Sequence, residues 1–206
     1  MFEILTVCTG NICRSPLAAL MLRTRLADLD GVVVHSAGTH GLADAAMTDE
    51  AVELALARGA LRDHAAAHRA RFLTEQHLAS PDLILAMARE HRRAIAELAP
   101  ARLRSTFTVR EFARLAVTLT DEELTDAADA ASMTDAAARL RAATALIARQ
   151  RGLLPPLPDP ADDDVVDPFR RSWKTYELSA SQLDPAIDAV ERVARLAAVG
   201  IAVMPD

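Results

Sequence analysis

The octet Cys8-Thr9-Gly10-Asn11-Ile12-Cys13-Arg14-Ser15 follows directly on the apolar run Phe2-Val7, and Ser15-Pro16 then opens a stretch with Leu17, Leu20, Met21, Leu22 and Leu26 at helical spacing. The pattern is strand, tight glycine-containing turn, helix. Such a turn aims successive backbone N–H groups at one point at a helix N-terminus, which makes that point an anion site. Thr9, Gly10, Asn11, Ile12, Cys13, Arg14 and Ser15 are therefore the candidate phosphate-binding residues. Arg14 adds a planar fork able to make two parallel hydrogen bonds to phosphate-like oxygens, which a lysine could not reproduce.

Cys8 lies at the floor of this ring, where the inward-pointing dipoles and the arginine charge both favour thiolate over thiol. The Ser15 hydroxyl is placed to hydrogen-bond the sulfur, and the Asn11 side chain to pin the loop backbone. A thiolate that attacks phosphorus must expel an alkoxide or phenoxide, a poor leaving group unless an acid protonates it from the opposite side. Three Asp-Pro pairs offer that acid: Asp159, Asp167 and Asp184. Asp184 reads as a helix-start residue ahead of proline, and Asp159 sits in a proline-heavy loop. Asp167, between Val165-Val166 and Pro168-Phe169, has apolar neighbours and an aromatic ring to meet a substrate. It is the favoured candidate, with Asp159 next.

The remaining chain repeats the strand-helix alternation. Gly31 ends the first helix, Val32-Val33-Val34 begins a second strand running into His35-Ser36-Ala37-Gly38-Thr39, and Thr48 or Asp49 caps a helix that stops at Gly59. Asp82-Met87 is a third, buried strand, followed by a helix from about Arg89 to Leu98, and Ser105-Val109 is a weaker fourth. Strands joined by helical crossovers form a parallel sheet covered on both faces. The expected fold is α/β, a three-layer α/β/α arrangement with a four-stranded parallel sheet and an N-terminal phosphate-binding loop. One domain over residues 1–206 is expected, with a helical insertion at about 118–151 read as one or two solvated helices. Beyond it lie a proline-rich extended loop at 153–160, an aspartate cluster at 162–164 read as solvated, and a last helix carrying Ile187, Val190, Val193 and Leu196 on its buried face.

Composition removes several classes of function. A net charge of −6 disfavours tracking along nucleic acid. No apolar run spans a bilayer, and no basic segment precedes a long apolar stretch at the N-terminus, so a cytoplasmic protein without membrane insertion is expected. Cys8 and Cys13 are the only cysteines, too few for a disulfide scaffold or an all-cysteine zinc site. Cys13 is either a packing residue or the partner of a reversible disulfide with Cys8. The six histidines show no metal-ligand spacing, so neither metal nor cofactor is expected.

The octet, together with Ser36-Ala37-Gly38-Thr39, His68-Arg69-Ala70-Arg71, Asp82-Leu83-Ile84-Leu85-Ala86-Met87 ahead of His91, and the late Asp167-Pro168-Phe169, resembles the low-molecular-weight protein tyrosine phosphatases. The resemblance spans roughly residues 1–117 and 165–200. It implies Cys8 as nucleophile, Arg14 as phosphate clamp, Asp167 as acid and later base, and Asn11, Ser15 and Ser36 as supports of the loop. It also implies phosphotyrosine-bearing proteins as partners. The chain departs from the family at Arg170, where many members have a second aromatic residue, and at His40, Gly41 and Leu42, which include no large aromatic.

Three other functions stand beside phosphotyrosine hydrolysis. An arsenate reductase using a small external thiol could share the loop, although no cysteine follows Cys13 to pass oxidation outward. Phosphoarginine specificity goes with a small polar residue where this chain has Ile12. A phosphopeptide-binding module without turnover would need neither the thiol nor the acid.

Overall fold

The computed structural model describes residues 1–198. Four strands form one sheet in the order β2-β1-β3-β4, every neighbouring pair parallel: β1 Phe2–Cys8, β2 Val32–Gly38, β3 Leu83–Ala86 and β4 Thr106–Thr108. Phe2 lies opposite Val32 and Cys8 opposite Gly38, while Ile4 and Val7 lie opposite Leu83 and Ala86. The strand ends that carry Cys8, Gly38 and Ala86 therefore rise side by side. This is the expected four-stranded α/β arrangement.

Alternation along each strand divides the apolar residues between two cores. Phe2, Ile4, Cys8, Leu83, Leu85 and Phe107 belong to the larger one. It is completed by α1 (Arg14–Arg25), α2 (Asp49–Ala57), α6 (Val109–Ala116) and α9 (Trp173–Ala198). Leu5, Val7, Ile84 and Ala86 face the smaller core, which Leu78 of α4 (Glu75–Ala79) and Ile95 of α5 (Arg89–Leu98) close. A short helix α3, Arg62–Ala66, lies between α2 and α4. Burying both faces accounts for the nearly continuous apolar reading of β1 and β3.

Three expectations need correction. The residues read as solvated helices form α7 (Asp121–Ala131) and α8 (Ala136–Arg149), which pack on each other and on α9. Leu124, Ala128, Ala143 and Ile147 are fully buried in the larger core. Alanine-rich faces hide their apolar stripe in sequence because the small side chain gives little contrast with its neighbours. Asp184 does not start a helix: α9 begins at Trp173 and runs through Pro185, and Asp184 forms a two-bonded ion pair with Arg58. The aspartate cluster is not simply solvated either, since Asp163 pairs with Arg114 and Asp164 with Arg89, each at 2.9 Å. Among the described residues, no helix is long and apolar enough to cross a membrane.

Candidate active site

Cys8 ends β1 and Arg14 begins α1, so the intervening residues must reverse the chain within one turn. Asn11 supplies the reversal with a left-handed φ of 56°, a conformation that asparagine tolerates better than most residues. Its backbone N–H donates to Cys8 Sγ at 3.3 Å. Its side chain ties the turn at both ends: Nδ2 donates to Ser15 Oγ at 2.9 Å, and Oδ1 accepts from the Arg71 backbone N–H at 2.9 Å. Ser15 Oγ lies 3.0 Å from Cys8 Sγ, so the serine expected to meet the sulfur does so.

Neighbouring segments hold the loop from outside. Thr39 and His40 donate backbone N–H groups to the carbonyls of Cys8 and Thr9, both at 2.9 Å. Gly38 makes this approach possible, because a Cβ there would stand 2.5 Å from Thr9 O and 2.9 Å from Asn11 N. His68 Nε2 lies 2.7 Å from Asn11 O and must donate to it. Burial pushes the His68 pKa down, with the Asn11 carbonyl acting in the opposite direction. Ser36, expected to support the loop, is buried on β2, but its hydroxyl makes no hydrogen bond to the loop among the described residues; its carbonyl accepts from Arg71 Nη2. The neighbouring Gly38 contributes the close approach instead.

Arg14 is buried, at 3% exposure, and the strand-end segments converge on its guanidinium. Nη1 donates to Val165 O at 3.2 Å, while Nη2 reaches Thr9 Oγ1 at 3.3 Å and Asp167 Oδ2 at 2.9 Å. Nε is buried without a partner, a costly state for a donor. Behind Thr9, His91 Nε2 sits 2.8 Å from Thr9 Oγ1. Burial first, and the Arg14 charge second, push the His91 pKa down to about 3, so the ring is neutral. Because Thr9 accepts from Arg14, its own hydroxyl proton is free for His91.

Of the three aspartates, only Asp167 reaches the loop. The segment before it is stitched to the sheet: Val165 N–H donates to Met87 O at 2.8 Å, and Asp164 receives both the backbone N–H and the guanidinium of Arg89. Val166 N–H donates to Gln182 of α9. The apolar wall expected around Asp167 is absent, since its carboxylate is half exposed and faces Arg14. Oδ1 accepts from the Phe169 N–H. Asp159 lies elsewhere, capping the turn at Pro160–Asp163 through Ala161 N–H.

Cys8, Arg14 and Asp167 line one cavity of about 210 Å³, whose other walls include Ile12, Leu42 and Phe169. Cys13 Sγ is turned toward the Tyr176 and Thr48 hydroxyls, and burial raises its pKa. Both cysteines are free thiols. Among the described residues, no three His, Cys, Asp or Glu side chains are grouped to hold a metal.

Residues 3–150 match the family model of the low molecular weight phosphotyrosine protein phosphatases. The chain belongs to this family. The low molecular weight protein-tyrosine-phosphatase Etp of Escherichia coli K12 is 43% identical over 48% of the chain, an alignment that takes in 62% of that relative's length. A protein-arginine-phosphatase of Geobacillus stearothermophilus is 35% identical over 61% of the chain and 78% of its own. Among solved structures, a low molecular weight protein tyrosine phosphatase from T. tengcongensis superposes with a TM-score of 0.61 at 26% identity, covering 92% of this chain and 97% of that one. The family match ends before Asp167, so the place of that residue in the site rests on its contact with Arg14.

The loop's outer supports come from distant parts of the chain, and in the sequence only the family resemblance, which takes in His68 and His91, points to them. Thr9 and His91 are 82 positions apart, and His68 and Asn11 are 57 apart. The one local signal was Gly38 at the end of the strand that Val32-Val33-Val34 opens, where a glycine in a strand marks close backbone approach.

Proposed function

We propose that this chain is a phosphomonoester hydrolase of the protein-tyrosine-phosphatase type, acting in the cytoplasm on phosphotyrosine-bearing proteins through a cysteinyl-phosphate intermediate. The observation that carries this reading is the convergence of Cys8, Arg14 and Asp167 on one cavity. Cys8 Sγ attacks phosphorus in line; the S–P bond forms as the P–O bond to the leaving group breaks, and Asp167 donates its proton to the departing oxygen. The backbone N–H groups from Thr9 to Ser15 and the Arg14 guanidinium receive the equatorial oxygens, and the orphaned Arg14 Nε gains an acceptor. In the second step a water attacks phosphorus, Asp167 takes its proton, and the S–P bond breaks toward a thiolate that the Ser15 hydroxyl stabilises.

Ile12, Leu42 and Phe169 give the cavity apolar walls that suit an aromatic ring. The arginine-phosphatase relative keeps phosphoarginine as a second reading, against which Ile12 stands as an apolar residue at the loop. We read the pair α7–α8 as a helical addition to a single domain.

Turnover of a phosphotyrosine peptide, a phosphoarginine peptide and arsenate with added thiol, measured side by side, tests the assignment. The expected result is metal-independent, chelator-resistant hydrolysis of the phosphotyrosine peptide, with Cys8→Ser binding substrate but not turning it over. Asp167→Ala should lose about 10²–10⁴ of the rate on substrates with poor leaving groups and much less on activated aryl phosphates. An unaffected Asp167→Ala enzyme would remove that residue from the mechanism, and thiol-dependent arsenate reduction without phosphatase activity would overturn the reading.

A further inference from the structure

A second, larger cavity of about 490 Å³ lies beside the outer edge of β2 and shares no lining residue with the one over Cys8. Arg23 of α1, His35 of β2, His64 of α3, and His68, Arg69 and Arg71 line it. Three guanidinium groups and three imidazoles in one concavity are unusual for a chain whose net charge is −6.

The three arginines are fixed in place without being neutralised. Arg23 donates Nε and Nη2 to Val34 O at 3.0 and 2.7 Å, Arg69 donates Nη1 to the carbonyls of Ala66 and His68, and Arg71 donates Nη2 to Ser36 O. Every anchor is a neutral backbone carbonyl. Among the described residues, none of the three has a carboxylate within 4.0 Å, whereas Arg25, Arg58, Arg89, Arg114, Arg141 and Arg195 each have one. The imidazoles add no negative charge, and the Glu3 carboxylate meets His35 only at 3.7 Å. Burial is the main cause that lowers the Arg23 pKa, and the nearby Arg71 charge acts in the same direction.

We propose that this cavity is a second anion-binding site, for a small ligand carrying two or more adjoining phosphate-type groups. Pre-positioned forks with unused N–H donors match the paired oxygens of such groups, and the anchoring carbonyls have already restrained the side chains before a ligand arrives. The volume exceeds what one phosphate would fill, and three guanidiniums ask for more negative charge than one phosphate brings.

The test titrates inorganic tripolyphosphate into the full chain after Cys8 has been carboxamidomethylated to obstruct the catalytic loop, with heat of binding as the readout. One equivalent is expected to bind, and Arg69→Gln and Arg23→Gln are each expected to weaken binding by about tenfold or more, as loss of charge-assisted hydrogen bonds implies. Aryl phosphate turnover by the unmodified Arg69→Gln protein should match the parent and reports that the variant is folded. Binding that vanishes on alkylation, or that both variants retain undiminished, would overturn the proposal. Either failure leaves the catalytic assignment untouched, because that assignment is read from Cys8-dependent turnover.

Discussion

Asn11 and Gly38 illustrate how much a single backbone position can carry. Asn11 accepts a left-handed φ and uses its side chain to join Ser15 to Arg71, so the turn and its buttress are one unit. Gly38 lets the end of β2 lie against that turn. In Gly38→Ala, the new methyl meets three backbone atoms at 2.5–3.0 Å, none of which can swing aside as a side chain could. Overpacking of this kind costs about 1–3 kcal/mol. We expect a thermal shift of that order together with a drop in kcat of at least about tenfold, because the displaced atoms belong to the anion ring. Denaturant melts alongside turnover check both halves. The proximity of Cys8, Asn11, Arg14 and Ser15 was readable in order along the chain, because one tight turn between strand and helix forces them together. The partners of His68 and His91 were not: the family resemblance marked both positions, but nothing in sequence spacing tells which loop atom an imidazole is held against.

At the scale of elements, the segment 163–167 behaves as a strap that brings an acid to the loop. Its anchors are Arg114, Arg89, Met87 and Gln182. The Arg89–Asp164 ion pair is exposed on the arginine side and adds little, but Asp164 also accepts the Arg89 backbone N–H at the start of α5, so Asp164→Ala should lower global stability by about 0.5–2 kcal/mol. Under the proposed acid role of Asp167, its effect on catalysis should be larger and selective, slowing substrates with poor leaving groups more than activated ones. A variant with equal loss on both substrate types would place the role of Asp164 elsewhere.

The pair α7–α8 calls for a different test. Ile147 of α8 is fully buried in the larger core. Ile147→Ala should therefore destabilise the protein by about 2–5 kcal/mol while leaving kcat of the folded enzyme unchanged. A loss below about 0.5 kcal/mol, typical of surface substitutions, would return the helices to the solvated role first read from their composition.

Across the whole molecule, the order β2-β1-β3-β4 places the loop where successive crossovers leave β1 on opposite sides. Ligands of open parallel sheets bind at such a crevice, outside the carboxyl ends of the strands. The same burial that builds this end of the sheet sets an acid limit. His91 is neutral in the folded chain, its pKa pushed to about 3 from the ordinary 6.5. Between those values the unfolded chain binds the extra proton, so stability is complete above about pH 6.5 and falls as the pH drops toward 3. His68, also lowered by burial, acts in the same direction. Denaturant midpoints taken between pH 7.5 and 4 should decline, and His91→Gln should flatten that slope; an unchanged slope would remove His91 as a cause.

The alternation of apolar runs with helical patterns was enough for the parallel sheet, and the octet was enough for the tight turn between β1 and α1, because both follow from interactions between residues close along the chain. Which of three Asp-Pro pairs meets Arg14, that Gly38 rather than Ser36 buttresses the turn, and that Arg23, Arg69 and Arg71 share a cavity are facts of another kind. Each depends on contacts across long separations: burying the apolar face of α9 in the larger core brings the segment at Asp167 to Arg14, and burying the apolar face that carries Leu73 and Leu78 in the smaller core lays residues 68–72 against the end of β2. A one-dimensional pattern records that those faces exist, but not which loops their burial brings into register.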